Sequence, residues 1–393
     1  MDDFFDCSMA ISTGKYGLTA ALKGFSRSTG CDFVEFWDVE AATILERLEL
    51  TSFRSDQHLL SFSLDGSLLA AVAVECIFVW DVIDMVPNSE PLSMPWKAEQ
   101  QAHAGNSEPG LLSALEQQNP PSSTIKLCLR FKIKTGFKAS SLEFSPDGKL
   151  IAFVSGNRHT YDRTVEVWNN EKGELFRKWH IFSPPETQLR FSPDGNQLLS
   201  YSGYEIQIWL ISSGELLKRF EDVLGSAYSV PEFYRGGPQY QIRMAALSHQ
   251  NTLLALNVSY EGQFQTIIKD VETGETVQKI TRTEELSLLS FSEGDFQLET
   301  NRGLFNINRR KNYENDGVHG TLGRNVHSLL ADEHQEWICL NGEKILWLPH
   351  KYRPAHSDPR YITIQENTVA IKTGDNRLIF IEIEPWDKGG GSI

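Results

Sequence analysis

"LEFSPDGKLIAFVSGNRHTYDRTVEVWNN" runs from Leu142 to Asn170, and "LRFSPDGNQLLSYSGYEIQIWLISSGELL" runs from Leu189 to Leu217. The two stretches follow one grammar. Each opens on a short apolar strand and turns through Ser-Pro-Asp-Gly. A strand-length apolar run follows, and after a polar loop the chain alternates β-branched and polar residues up to a Trp. Ser145-Pro146-Asp147-Gly148 is type I turn chemistry, with Ser first, Pro second and Gly fourth. "TVEVW" has the period-2 alternation of a half-buried strand, and "NNEKGELF" places Gly173 in a further turn. One unit therefore reads as four antiparallel strands joined by tight turns.

The same grammar recurs along the chain. "LSFSLDGSLLAAVAVECIFVWDV" (Leu60 to Val82) keeps the turn with Leu64 in place of Pro, and Met9 to Val39 is a looser copy ending in Trp37-Asp38. Ala246 to Val277 carries Lys269 at the Trp position. Weaker copies occupy Leu289 to Arg310, Leu329 to Pro349 and Ile362 to Ile383. The third strands of these eight copies lie at or beside Trp37, Trp80, Trp168, Trp209, Lys269, Ile307, Trp347 and Phe380. With the insertion 86–124 set aside, each copy averages roughly 44 residues, the period of a four-stranded propeller blade. A blade alone leaves two apolar faces bare; a closed ring buries both and protects the edges. The predicted fold is all-β, a propeller of seven or eight four-stranded blades over residues 1–385, with 386–393 a disordered tail or appended linker. Seven blades would follow if a weak terminal copy were partial or closed the ring by strand exchange. Trp80, Trp168 and Trp209 are expected in the packing between blades, and Asp65, Asp147 and Asp194 are expected as turn formers.

Trp37-Asp38, Trp80-Asp81 and the Ser-Pro-Asp-Gly turns resemble WD-repeat propellers over nearly the whole chain. The pattern departs at Trp168-Asn169 and Trp209-Leu210, and no copy opens on the Gly-His dipeptide of that family, so its buried His–Asp network is not expected here. Trp337 to Pro354, with the last copy, resembles the carboxy-terminal end of the divergent propellers attached to fungal NACHT-type NTPases, the NLR-like STAND proteins. That resemblance implies a ligand-sensing role.

Composition narrows the function classes. Of 393 residues, 40% are hydrophobic, and 37 Lys and Arg stand against 52 Asp and Glu, a formal charge of −15. Such a surface repels phosphate backbones, so nucleic acid is not an expected partner. Cys7, Cys31, Cys76, Cys128 and Cys339 show no Cys-x-x-Cys spacing, which predicts reduced thiols, no metal knuckle and a cytoplasmic setting. No apolar window is long enough to span a bilayer, so no membrane partner is expected. There is no phosphate-cradling loop, nucleophile elbow or metal-binding His pair, and neither a cofactor nor catalysis is expected.

Two stretches break the repeat. Val86 to Ser123 is rich in Pro, Ser, Gln and Glu and reads as a flexible loop. Leu224 to Arg243 carries Tyr228, Phe233, Tyr234, Arg235 and Tyr240, the residue types that dominate interface energetics. A second cluster, Tyr352, Arg353, Arg360 and Tyr361, precedes the last copy. These nine residues are the candidate contacts of a protein partner on a non-catalytic scaffold. The alternative is an enzyme or small-ligand binder with its site in the central channel, assembled from residues distant in sequence.

Overall fold

The computed structural model describes residues 8–12, 19–26, 31–39, 43–50, 59–73, 76–84, 125–137, 139–157, 160–184, 186–203, 205–221, 240–260, 263–283, 286, 289–300, 303–307, 313–315, 329–331, 336–340, 343–354, 362–365, 368–373 and 377–383. These residues form eight sheets in chain order, numbered here as blades 1 to 8. Their inner strands are Ser8–Ser12, Leu60–Phe62, Ala139–Phe144, Gln188–Phe191, Tyr240–Leu247, Leu289–Phe291, Leu329–Ala331 and Ile362–Gln365. Blades 1 to 5 have four antiparallel strands apiece, each strand pairing with the next in sequence; blades 6 to 8 have three among the described residues. All eight predicted third strands lie where the repeat places them.

The inner strands of blades 1 to 4 neighbour one another in order, as do those of blades 5 and 6; the second strand of blade 4 meets the inner strand of blade 5, and the inner strand of blade 1 touches both blade 2 and blade 8. Among the described residues, the two terminal sheets therefore meet by packing, with Ser8–Ser12 as a strand of the first sheet. Among the described residues, seven buried apolar clusters fill seven blade junctions: 1/2, 2/3, 3/4, 4/5, 5/6, 7/8 and 8/1. Ile11, Ala20 and Val39 of blade 1 meet Ala370 of blade 8 at the closure, with Trp37 and Phe380 against them. Burying both faces of each thin sheet supplies the core that no blade has alone.

The Ser turn is a repeated device. In blades 2, 3 and 4 the Ser63, Ser145 and Ser192 hydroxyls donate to Asp65, Asp147 and Asp194 at 2.6, 2.7 and 2.5 Å. Each hydroxyl also accepts the N–H of the residue five positions on, at 2.9 Å in all three blades. The fourth residue is left-handed, with φ of 68° at Gly66, 69° at Gly148 and 71° at Gly195, which is why Gly stands there. Burial alone would raise the three Asp carboxyls. Hydrogen bonds from the Ser hydroxyls and the following amides hold all three below the ordinary range instead.

A second device repeats at the outer edge. In blades 1 to 5 the outer strand carries a β-bulge where the third strand reaches Trp37, Trp80, Trp168, Trp209 or Lys269. The residue after the bulge reaches the next blade. The Glu46 carboxylate accepts the Leu127 N–H at 2.7 Å, Arg177 donates to the Ser212 carbonyl at 2.6 and 2.9 Å, Lys218 donates to the Glu272 carbonyl at 2.8 Å, and Gln278 donates to the Asn306 carbonyl at 3.3 Å. In blade 2 the position is Phe131, whose ring occupies the space beside Gly173, so that a Cβ there would lie 3.2 Å away.

The tryptophans divide by position. Trp80 and Trp209 are buried, and Trp168 packs half-buried against the blade 2/3 cluster. The Trp209 indole donates to Ser200 Oγ and the Trp168 indole to Glu166, both at 3.0 Å. Glu166 and Ser200 thus take the indole protons of blades 3 and 4. Trp347 differs: it is 47% exposed, beneath the Arg353 guanidinium. Residues Tyr313–Asn315, after the third strand of blade 6, pair in parallel with the outer strand of blade 5. The repeat does not announce this departure.

Candidate functional site

Alternation along each inner strand builds the mouth of the channel. Leu142 and Phe144 point into the blade 2/3 cluster, Leu189 and Phe191 into the 3/4 cluster, and Leu289 and Phe291 into the 5/6 cluster. The residue between them takes the opposite face of the strand. These middle positions are Ser61, Glu143, Arg190, Ala246 and Ser290, and all five line one cavity of about 450 Å³. Its wall includes Phe62, Phe144, Phe191 and Phe291, and its rim is made by Leu64, Pro146, Pro193 and His249, each the second residue of a blade's Ser turn. Leu64 is 78% exposed.

The rim is tied from blade to blade. Asn251 of blade 5 donates to Asp194 of blade 4 at 2.8 Å. Asp295 of blade 6, fully buried, accepts the backbone N–H groups of His249 and Gln250 at 2.8 and 3.1 Å, and its Oδ1 lies 3.2 Å from the His249 ring nitrogen. His249 is thereby fixed at the rim rather than free to swing. Below it, the Leu189 N–H donates to Ser141 Oγ at 2.9 Å, which locks the inner strand of blade 3 against that of blade 4.

Two charges stand on that locked pair. Glu143 and Arg190 hold the same repeat position in adjacent blades, and both are half-buried. Burial pushes the Glu143 carboxyl up to about 7, against the pull of the Arg190 guanidinium. The same charges reach Tyr201 on the second strand of blade 4. Burial drives its hydroxyl up to about 12, Arg190 opposes the rise and Glu143 adds to it. The mouth thus offers a carboxyl that titrates near neutrality, a guanidinium and hydroxyls, in an apolar frame. Among the described residues no group of three or more His, Cys, Asp or Glu is arranged to hold a metal ion.

A family model, the WD domain with G-beta repeat, matches residues 130–169. The chain carries a WD40 repeat. The matched WD40 segment starts at Arg130 in the outer strand of blade 2 and ends at Trp168-Asn169, so the sequence repeat is offset from the blade by one strand. An uncharacterized WD repeat-containing protein of Synechocystis is 38% identical over 63 residues, which is 16% of this chain and 17% of that relative. The matched stretch therefore spans less than a fifth of the relative's length.

Of the nine residues singled out from the sequence, three are described. Tyr228, Phe233, Tyr234, Arg235, Arg360 and Tyr361, and the insertion 86–124, lie outside the described residues. Tyr240 begins the inner strand of blade 5. Tyr352 is exposed beneath the Lys351 ammonium, 4.5 Å from its ring centroid. Arg353 is engaged by its own fold: it pairs with Glu336 at 2.6 Å and donates to the Leu348 carbonyl at 2.9 Å. Sequence reasoning missed Glu143 and Arg190. The signal was present in the two opening copies, as a charge of opposite sign between the apolar residues of "LEF" and "LRF".

Proposed function

We propose that the chain is a non-catalytic interaction platform that takes a protein partner at the channel mouth. The observation that carries this reading is the rim: Leu64, Pro146 and Pro193 stand side by side on blades 2 to 4, above the Glu143–Arg190 floor. An exposed apolar lip around a polar, partly desolvated floor is the anatomy of a contact surface with a central anchor. WD repeats support a scaffold role. The resemblance of Trp337 to Pro354 to fungal NLR-like propellers supports a finer version, in which the platform senses a ligand in the cytoplasm. In that version Tyr228, Phe233, Tyr234, Arg235, Tyr240, Tyr352, Arg353, Arg360 and Tyr361 extend the contact. Neither nucleic acid nor a bilayer is the partner in this reading, because the net charge of −15 repels anionic surfaces.

Affinity capture from the native host tests the reading, with the wild-type chain beside a Leu64→Asp/Arg190→Ala variant. The partner is retained by the wild type and lost by the variant; undiminished capture by the variant removes the mouth from the account. A second reading, a small-ligand or catalytic site in the channel, draws on Glu143, since a carboxyl titrating near 7 can exchange a proton at neutral pH. Turnover abolished by Glu143→Gln would favour it over the platform.

A further inference from the structure

We infer that the floor of the channel mouth holds an uncharged hydrogen-bonding group between Glu143 and Arg190, the carboxamide of an Asn or Gln side chain carried by the partner. The inference rests on the mouth being the partner site and adds the chemistry of the anchor.

Three observations lead to it. Glu143 and Arg190 occupy equivalent positions on neighbouring inner strands that the Leu189 N–H to Ser141 Oγ bond fixes in register. Neither side chain makes a hydrogen bond or an ion pair within 4 Å to another described residue, although the Arg190 charge reaches Glu143 and both charges reach Tyr201. The floor is itself half-buried, with Phe144 and Phe191 packed into the junctions on either side, which strengthens any polar contact made there. A cation entering this floor meets Arg190, and an anion meets Glu143. A carboxamide satisfies both, because its NH2 donates to the carboxylate while its carbonyl accepts from the guanidinium.

Proton linkage gives the inference a second handle. The ionisable groups around the floor are Arg190 on the inner strand of blade 4, Tyr201 on its second strand and His249 on the rim of blade 5. An N–H donated to Glu143 favours its charged form, so amide binding lowers its titration point from about 7 and releases protons near neutrality.

Saturation-transfer NMR on the full chain is the test, with N-acetyl-glutamine methylamide and its glutamate and lysine counterparts as probes, above the pH at which Glu143 titrates. The glutamine probe binds, and the charged probes bind about tenfold more weakly or not at all, as expected when a charge-assisted hydrogen bond is replaced by repulsion. Arg190→Gln weakens the glutamine probe about tenfold with melting behaviour retained. The probe comparison on the wild-type chain needs no variant to fold. Equal binding of all three probes, preference for a charged probe, binding of none, or indifference to Arg190→Gln overturns the inference. Should the wild type capture its partner but ignore the glutamine probe, the anchor chemistry falls and the platform stands. Should the probe bind while the Leu64→Asp/Arg190→Ala variant still captures the partner, the amide site stands and the platform reading falls.

Discussion

Blades 1 to 5 and blades 6 to 8 solve one packing problem with unequal means. The first five have four strands each, a bulge at the Trp position and a side chain reaching the next blade from just beyond the bulge. The last three show three strands apiece among the described residues, and the strand after blade 6 joins the edge of blade 5. Among the described residues, the 7/8 cluster holds four buried side chains and the 4/5 cluster twelve. Stability in such a ring is close to a sum over units and junctions, so each junction can be tested by itself.

The largest test of that contrast is a pair of core truncations. Phe153→Ala, at a fully buried position in the 2/3 cluster, is expected to cost about 3–5 kcal/mol, and Val369→Ala, at the 7/8 junction, about 1–3 kcal/mol. Urea melts monitored by fluorescence check both. Losses in the same proportion to the carbons removed at the two sites would mean that the two halves are packed alike.

Next in size is Glu143→Gln. The folded-state titration point of Glu143, raised to about 7, lies above the ordinary carboxylate value. Its contribution to stability is therefore whole at acid pH and lost as pH rises toward 7, when the carboxyl must ionise inside the mouth. The variant and wild type should melt alike near pH 4, and the variant should be more stable by about 1–3 kcal/mol at pH 8. A wild type that gains on the variant as pH rises would mean that the Arg190 charge outweighs burial at Glu143.

Smaller again is the turn. Ser145→Ala removes a donor to Asp147 and an acceptor for the Leu150 N–H, and should cost about 1–2 kcal/mol in chemical denaturation. Asp147 is held below its ordinary value, so its contribution is present at neutral pH and fades as pH falls through the folded-state value. The loss from Ser145→Ala should accordingly shrink at low pH. The smallest effect is Arg177→Ala, an exposed bond between blades 3 and 4, at about 0.5–1 kcal/mol, with hydrogen exchange quickening around Ser212 before the global midpoint moves.

Much of the ring was legible because blades repeat physical solutions. Ser-x-Asp-Gly identifies a turn through φ at its Gly, and the Trp-bearing third strands identify the blades, which is why even Lys269 and Phe380 fall in register. What was not legible depends on neighbours. Gly173 is narrow because Phe131 of another blade needs the room, and His249 is fixed by Asp295 of a third. Residues Tyr313–Asn315 carry no pattern that forecasts a parallel partner. Glu143 and Arg190 became a site only when two inner strands were set side by side; within each copy they look like solvent-facing polar residues.

The account turns on closure, with the terminal sheets meeting as separate blades around one axis. An experimental density map of the chain tests this most directly. Eight blades are expected, with Ser8–Ser12 lying as an inner strand beside Ile362–Gln365. A seven-bladed ring, or an N-terminal strand added to the outer edge of the last sheet, would contradict it.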